Sequence, residues 1–116
     1  MSEYEEIPKE AIISFRDRRN WAQFHNPKDL AISLSLEAAE LLECFQWSAD
    51  DLAVKAKKAE MEKELADIFI YATLFADAID SNIKEIIEKK LLENEKKYGV
   101  KKSWGSAKKY TELNED

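Results

Sequence analysis

The sequence predicts an all-α protein, a single domain of four helices that assembles into an oligomeric helical bundle. Three observations lead there. The 116-residue chain holds only 2 Gly and 2 Pro, and its long runs are rich in Ala, Leu, Glu, Lys and Ile, which favour helices. Apolar residues recur at steps of three and four, with no alternation of the kind a half-buried strand needs. A chain of this length makes one domain and not two.

The elements follow in order. A first helix is expected from about Pro8 to Gln23, with Pro8 near the first turn, where its missing N–H costs nothing. "HNP" at 25–27 ends it, because Pro27 pushes Asn26 out of helical geometry. A second helix is expected from about Lys28 to Phe45. Ser48 with Asp51 reads as the N-cap of a third, which reaches about Ile79 and has room for a bend within residues 50–58. "DSN" at 80–82 interrupts again, and Asn82 with Glu85 resembles a capping pair. The fourth helix runs from about Ile83 to Tyr98, with Gly99 at the position that commonly ends a helix. Residues 99–116 are expected to form an extended arm.

Composition excludes several function classes. No run of about 18 apolar residues exists, so no segment is expected to span a membrane. The acidic "MSEYEEIPKE" lacks the apolar core of a signal peptide. The one cysteine, Cys44, cannot form an internal disulfide and fits a reducing cytoplasm. A net charge of −6 argues against a nucleic-acid polymer as partner, although "KKYGVKKSWGSAKKY" from Lys96 to Tyr110 carries six lysines and no acid.

The chemistry lies in the acids. In the second helix the apolar stripe runs Leu30, Leu34, position 37, Leu41, Phe45, and position 37 is Glu. Glu40 lies one turn on, beside it. On a wheel of about 100° per residue with Asp67 at zero, Thr73, Asp77, Asp80 and Lys84 cluster at roughly 220–280° and read as a solvated stripe. Glu64 falls at roughly 60°, so Glu64 and Asp67 point away from that stripe, toward the interior. The 23 residues between Glu40 and Glu64 suffice to run the two helices antiparallel. Four carboxylates would then share one cavity, where they cannot all stay ionised unaided. A hard divalent cation such as Mg²⁺ resolves this. A di-iron bundle would need E-x-x-H on two helices, and the single histidine, His25, lies in a turn.

The chain resembles the MazG-like, all-α nucleoside triphosphate pyrophosphohydrolases, and within them the branch containing the dCTP pyrophosphatases. The resemblance rests on "FRDRRNWAQFHNPKDLAISLSLEAAELLECFQW" at 15–47, "ELADIFIY" at 64–71, "KLLEN" at 90–94 and "KKYTEL" at 108–113. It implies Mg²⁺ bound by Glu37, Glu40, Glu64 and Asp67, and hydrolysis of a (deoxy)nucleoside triphosphate to the monophosphate and pyrophosphate. Either Glu37 or Glu40 would take the proton of the attacking water. By the same resemblance Trp21 and Trp47 enclose the base, and His25 closes the "QFH" segment beside them. Tyr71, Lys90 and Asn94 match positions near the phosphates or sugar, and Tyr98 helps cover the triphosphate. The resemblance also implies a dimer, often paired into a tetramer, with sites built across the interface. Two positions depart from the pattern. Ile12 stands where the dCTP-preferring animal members carry a histidine, and Arg18 replaces the Glu of "F-x-x-E-R". Both bear on base preference and neither touches the metal site. The competing readings are a non-catalytic oligomeric helical interaction module, which predicts no metal response, and a nucleic-acid binder acting through the lysine-rich tail.

Overall fold

The computed structural model describes residues 6–47 and 53–113. Among them are helices and turns and no strand. They form two compact units, one ending at Ser81 and the other beginning at Asn82. The first holds α1 (Lys9–Asp17), α2 (Pro27–Glu43) and α3 (Ala53–Ala78), and the second holds α4 (Ile83–Lys97) and α5 (Val100–Ser103).

The first helix is shorter than the sequence predicts, stopping at Asp17 rather than Gln23. The cause is Asn20, which adopts a left-handed φ of 55°. Its N–H donates to the Asp17 carbonyl at 3.0 Å, and the next N–H, of Trp21, donates to the Arg16 carbonyl at 3.1 Å. That pair of bonds closes a helix on a left-handed residue just past its end, a conformation asparagine tolerates better than most. A 3-10 turn over Ala22–Phe24 then leads through His25 into α2.

Pro27 is the first residue of α2, and Asn26 caps it. The Asn26 Oδ1 accepts the Asp29 N–H at 2.9 Å, and its Nδ2 donates to Asp29 Oδ2 at 2.7 Å. The inward stripe is as the sequence predicts: Leu30 is 2% exposed, and Leu34, Glu37, Leu41 and Phe45 are half-buried. The proposed Ser48–Asp51 cap of α3 lies outside the described residues. A break does fall within 50–58, at Lys57, whose φ of −124° and ψ of 24° are not helical. The far end of α3 closes as α1 does. Asp80 takes a φ of 58°, and the N–H groups of Asp80 and Ser81 reach the carbonyls of Asp77 and Ala76 at 3.0 and 2.8 Å.

α2 and α3 are antiparallel. His25, just ahead of α2, shares a cavity with Asp67 and Tyr71 of α3, whereas Glu43 and Cys44, at the other end of α2, share a groove with Lys57 and Glu60. α1 packs on α3 as well, and this corrects the expected solvated stripe. Thr73 is 1% exposed, and Asp77 accepts a 2.7 Å bond from Arg16 Nη1 of α1. The Thr73 hydroxyl is satisfied without water by the Phe69 carbonyl at 2.8 Å. The face taken for solvent is therefore where α1 sits. Glu64 and Asp67, on the opposite side, still turn toward α2.

The core of this unit is small. Among the described residues the buried apolar ones are Leu30, Cys44, Leu74 and Ala76, while Ile32, Leu36, Leu42, Leu65 and Phe69 are exposed.

In the second unit, Asn82 caps α4 by accepting the Glu85 N–H at 3.0 Å. Gly99 does not end α4 in the left-handed form: its φ is −56° and it starts α5 instead. The tail is thus not an extended arm throughout. It folds back, because the Tyr110 ring meets Tyr98 edge-on at 6.1 Å and takes the Lys97 ammonium over its face at 4.9 Å.

Candidate metal centre and adjoining cavity

Glu37 and Glu40 lie one turn apart on α2, and Glu64 meets them from α3. One carboxylate oxygen from each lies within 4.8 Å of the others. Glu37 and Glu64 are half-buried and Glu40 is exposed. Glu37 Oε2 and Glu64 Oε2 are buried and accept no hydrogen bond among the described residues. Leaving such atoms unpaired is costly.

The protonation behaviour reflects the crowding. Burial, then the contacts with Glu64 and Glu40, then the charges of Glu40 and Asp67 push the Glu37 carboxyl up to about 7. Glu64 is raised in the same direction, chiefly by its contact with Glu40 and by burial. Each group resists ionisation because its neighbours are acids and water is scarce. A cation among them would take the place of those protons. The donor set is all oxygen, which suits a hard ion. Asp67 stands outside the three-oxygen cluster, but its charge is felt by both Glu37 and Glu64.

Asp67 also lines a cavity of about 220 Å³ with Phe15, Arg16, Trp21, His25 and Tyr71. The turn closed by Asn20 is what brings Trp21 there, and its ring packs edge-on against Phe15 at 5.8 Å. His25 Nδ1 is buried and unpartnered. Burial, aided by the positive charge of Arg16, holds the His25 pKa below its usual value, so the ring is neutral at pH 7. The sequence reading missed Phe15 and Arg16 as lining residues. The only available signal was their spacing along α1 from Ile12, which faces the same cavity.

The structure brings Trp21, His25, Asp67 and Tyr71 together, and does not bring Trp47 to them. Trp47 is 95% exposed, with a left-handed φ of 66°. The reason is geometric. Trp21 precedes α2 and Trp47 follows it, and a helix of 17 residues is about 25 Å long. Lys90, Asn94 and Tyr98 belong to the second unit. There Lys90 pairs with Glu93 at 3.4 Å, Asn94 is half-buried on α4, and Tyr98 packs against Tyr110.

Comparison with known proteins gives one direction. A sequence model described as the MazG-like family matches residues 32–113. Curated relatives include dCTP pyrophosphatase 1 of Mus musculus, 35% identical, and of Homo sapiens, 32% identical. Each alignment covers 85% of this chain, and the chain spans 61% of the length of these relatives. Among solved structures, a pyrophosphatase from Archaeoglobus fulgidus superposes with a TM-score of 0.73 at 36% identity, over 85% of this chain and 99% of that one.

Proposed function

Because this chain belongs to the MazG-like family, we propose that it is a Mg²⁺-dependent hydrolase that cleaves a nucleoside triphosphate to the monophosphate and pyrophosphate. The observation that carries this reading is the pair of buried, unpartnered oxygens on Glu37 and Glu64 within a three-carboxylate cluster. Such a cluster costs stability unless something positive occupies it. Glu37, Glu40 and Glu64 would hold Mg²⁺, with Asp67 contributing from beside them. Bound there, the ion would offset the charge of the triphosphate and lower the pKa of a water.

The chain's own residues do the rest. Either Glu37 or Glu40 accepts the proton of the attacking water. The base enters the neighbouring cavity, where Trp21 offers an apolar face and neutral His25 a ring nitrogen for hydrogen bonding. Tyr71 lines the same space. The names of the curated relatives favour a pyrimidine deoxynucleotide such as dCTP, or a modified one. Ile12 lines this cavity and is the position to test for base choice. On resemblance alone, Lys90, Asn94 and Tyr98 are assigned to the phosphates and sugar.

We take the whole chain as one functional domain that works as a dimer or tetramer. Trp47 supports this, since it can enclose a base beside Trp21 only from another subunit. So do the exposed Ile32, Leu36, Leu42, Leu65 and Phe69. Among the described residues no helix is long and apolar enough to cross a membrane. A cytoplasmic role in clearing the nucleotide pool fits the reaction. A screen of common and modified nucleoside triphosphates with Mg²⁺, reading pyrophosphate release, tests the proposal. Turnover of none, or release of orthophosphate and a diphosphate, would overturn it.

A further inference from the structure

Glu40 and Glu64 face two spaces. Besides the acid cluster they line a groove of about 330 Å³ whose other walls include Lys57, Lys63, Glu43 and Glu60. Three features therefore lie in order along α3. The cavity with Trp21 and His25 sits against Asp67–Leu74, the acids meet at Glu64, and the groove runs from Glu64 back to Lys57. At a helical rise of 1.5 Å per residue, Tyr71 to Glu64 spans about 10 Å, and Glu64 to Lys57 about as much again. A base, an α-phosphate and two further phosphates follow one another over a comparable length.

Two of the four lysines of this helix, Lys57 and Lys63, line the groove. Lys58 pairs with Glu62 at 3.9 Å. Neither Lys57 nor Lys63 forms an ion pair among the described residues, although Glu60 lies three positions from each. At Lys57 the backbone leaves helical geometry, which removes the ordinary one-turn spacing to Glu60. Among the described residues, two ammonium groups thus border the acid cluster without an ion-pair partner.

We propose that this groove receives the β- and γ-phosphates of the substrate, with Lys57 and Lys63 as the cations that bind them. The proposal rests on the reaction read above. In that reaction the water oxygen bonds to the α-phosphorus, and its proton goes to Glu37 or Glu40. The bond from the α-phosphorus to the bridging oxygen breaks, and the electron pair leaves with pyrophosphate. Charge builds on that leaving group, and an ammonium on it stabilises the transition state more than the bound substrate. Glu43 and Glu60 line the same groove, so the lysines decide whether it accepts an anion.

The test uses pyrophosphate as probe, on the full chain with Mg²⁺ present. Calorimetry compares the unchanged protein with Lys57→Gln, Lys63→Gln and the double variant. Loss of two charge-assisted contacts should weaken pyrophosphate binding about tenfold or more in the double variant. The KM for the triphosphate should rise in parallel. Binding of the nucleoside monophosphate and the Mg²⁺-induced rise in Tm should not move. Lys63 is exposed, so Lys63→Gln alone reads the groove if the double variant does not fold, and Lys63→Arg should restore binding. Unchanged pyrophosphate affinity overturns the proposal, as does an equal loss for monophosphate and pyrophosphate. A failure of the reaction itself is distinct: the unchanged protein would then release no pyrophosphate from any triphosphate, whatever the lysine variants do.

Discussion

Glu37 of α2 and Glu64 of α3 meet across the helix pair, each with a buried Oε2 that no group among the described residues satisfies. Their carboxyls are both held above the ordinary range, Glu37 at about 7. Protonation, metal binding and turnover all depend on that pair.

The first concerns pH. The folded Glu37 pKa of about 7 exceeds its reference of 4.5, so between these values the folded state binds more protons than the unfolded one. Stability of the metal-free protein is then greatest below about pH 4.5 as far as this group is concerned, and is lost as pH rises through about 7. Thermal melts in a chelator should show Tm falling across that window, and Glu37→Gln should flatten the fall. A Tm that rises steadily from pH 4.5 to 7 and is unaffected by Glu37→Gln would be the contrary result.

Metal should reverse the cost. Mg²⁺ that binds only the folded arrangement raises stability by mass action, so Tm should climb from zero to millimolar Mg²⁺. Glu64→Gln relieves repulsion and should leave metal-free stability unchanged or slightly higher, while the response to Mg²⁺ disappears. Calorimetric scans with and without the ion separate these effects.

For turnover, Glu37→Gln and Glu40→Gln are each expected to lower kcat, the one that serves as base by about 10²-fold or more. Initial-rate assays of pyrophosphate release identify which. Trp21→Ala should instead raise KM with a smaller change in kcat, because stacking on the base is made in both ground and transition states.

α1 is held to α3 by Arg16, which bonds Asp77 at 2.7 Å and Asp17 at 2.8 Å from a side chain that is 13% exposed. Arg16→Met removes a charge-assisted pair and should destabilise the fold by about 1–2 kcal/mol, discounted for the partial exposure of Asp77. Urea melts of Arg16→Met, Asp77→Asn and the double variant measure the coupling. Additive losses would show that the pair contributes nothing.

Light scattering at micromolar protein should give a dimer at least. Leu36 and Leu42 are 59% and 72% exposed on α2, and Leu42→Lys should shift the mass toward the monomer if that face is the interface.

The sequence by itself determined where α2 and α4 begin, because their punctuation is local. Asn26 and Asn82 cap, Pro27 starts, and the stripe from Leu30 to Phe45 fixes which side of α2 turns inward. It also singled out Glu37, since a carboxylate on an apolar stripe is anomalous without any knowledge of its partner. Some of what it misjudged was local, as at Asn20, whose left-handed turn ends α1 early; the rest depended on contacts between distant residues. Thr73 and Asp77 are polar and share a helix face, which in isolation reads as solvent, but α1 lies on that face and Arg16 answers Asp77 from 61 positions away. Tyr110 drawing the tail back onto Tyr98 is of the same kind. The sequence also anticipated that Glu64 would meet Glu37 and Glu40; only the tertiary structure decided that Asp67 stands aside from that cluster and that Trp47 is held away from Trp21. Those outcomes follow from the antiparallel register of α2 on α3 and from the length of α2, and a register is a property of two packed surfaces rather than of either sequence segment alone.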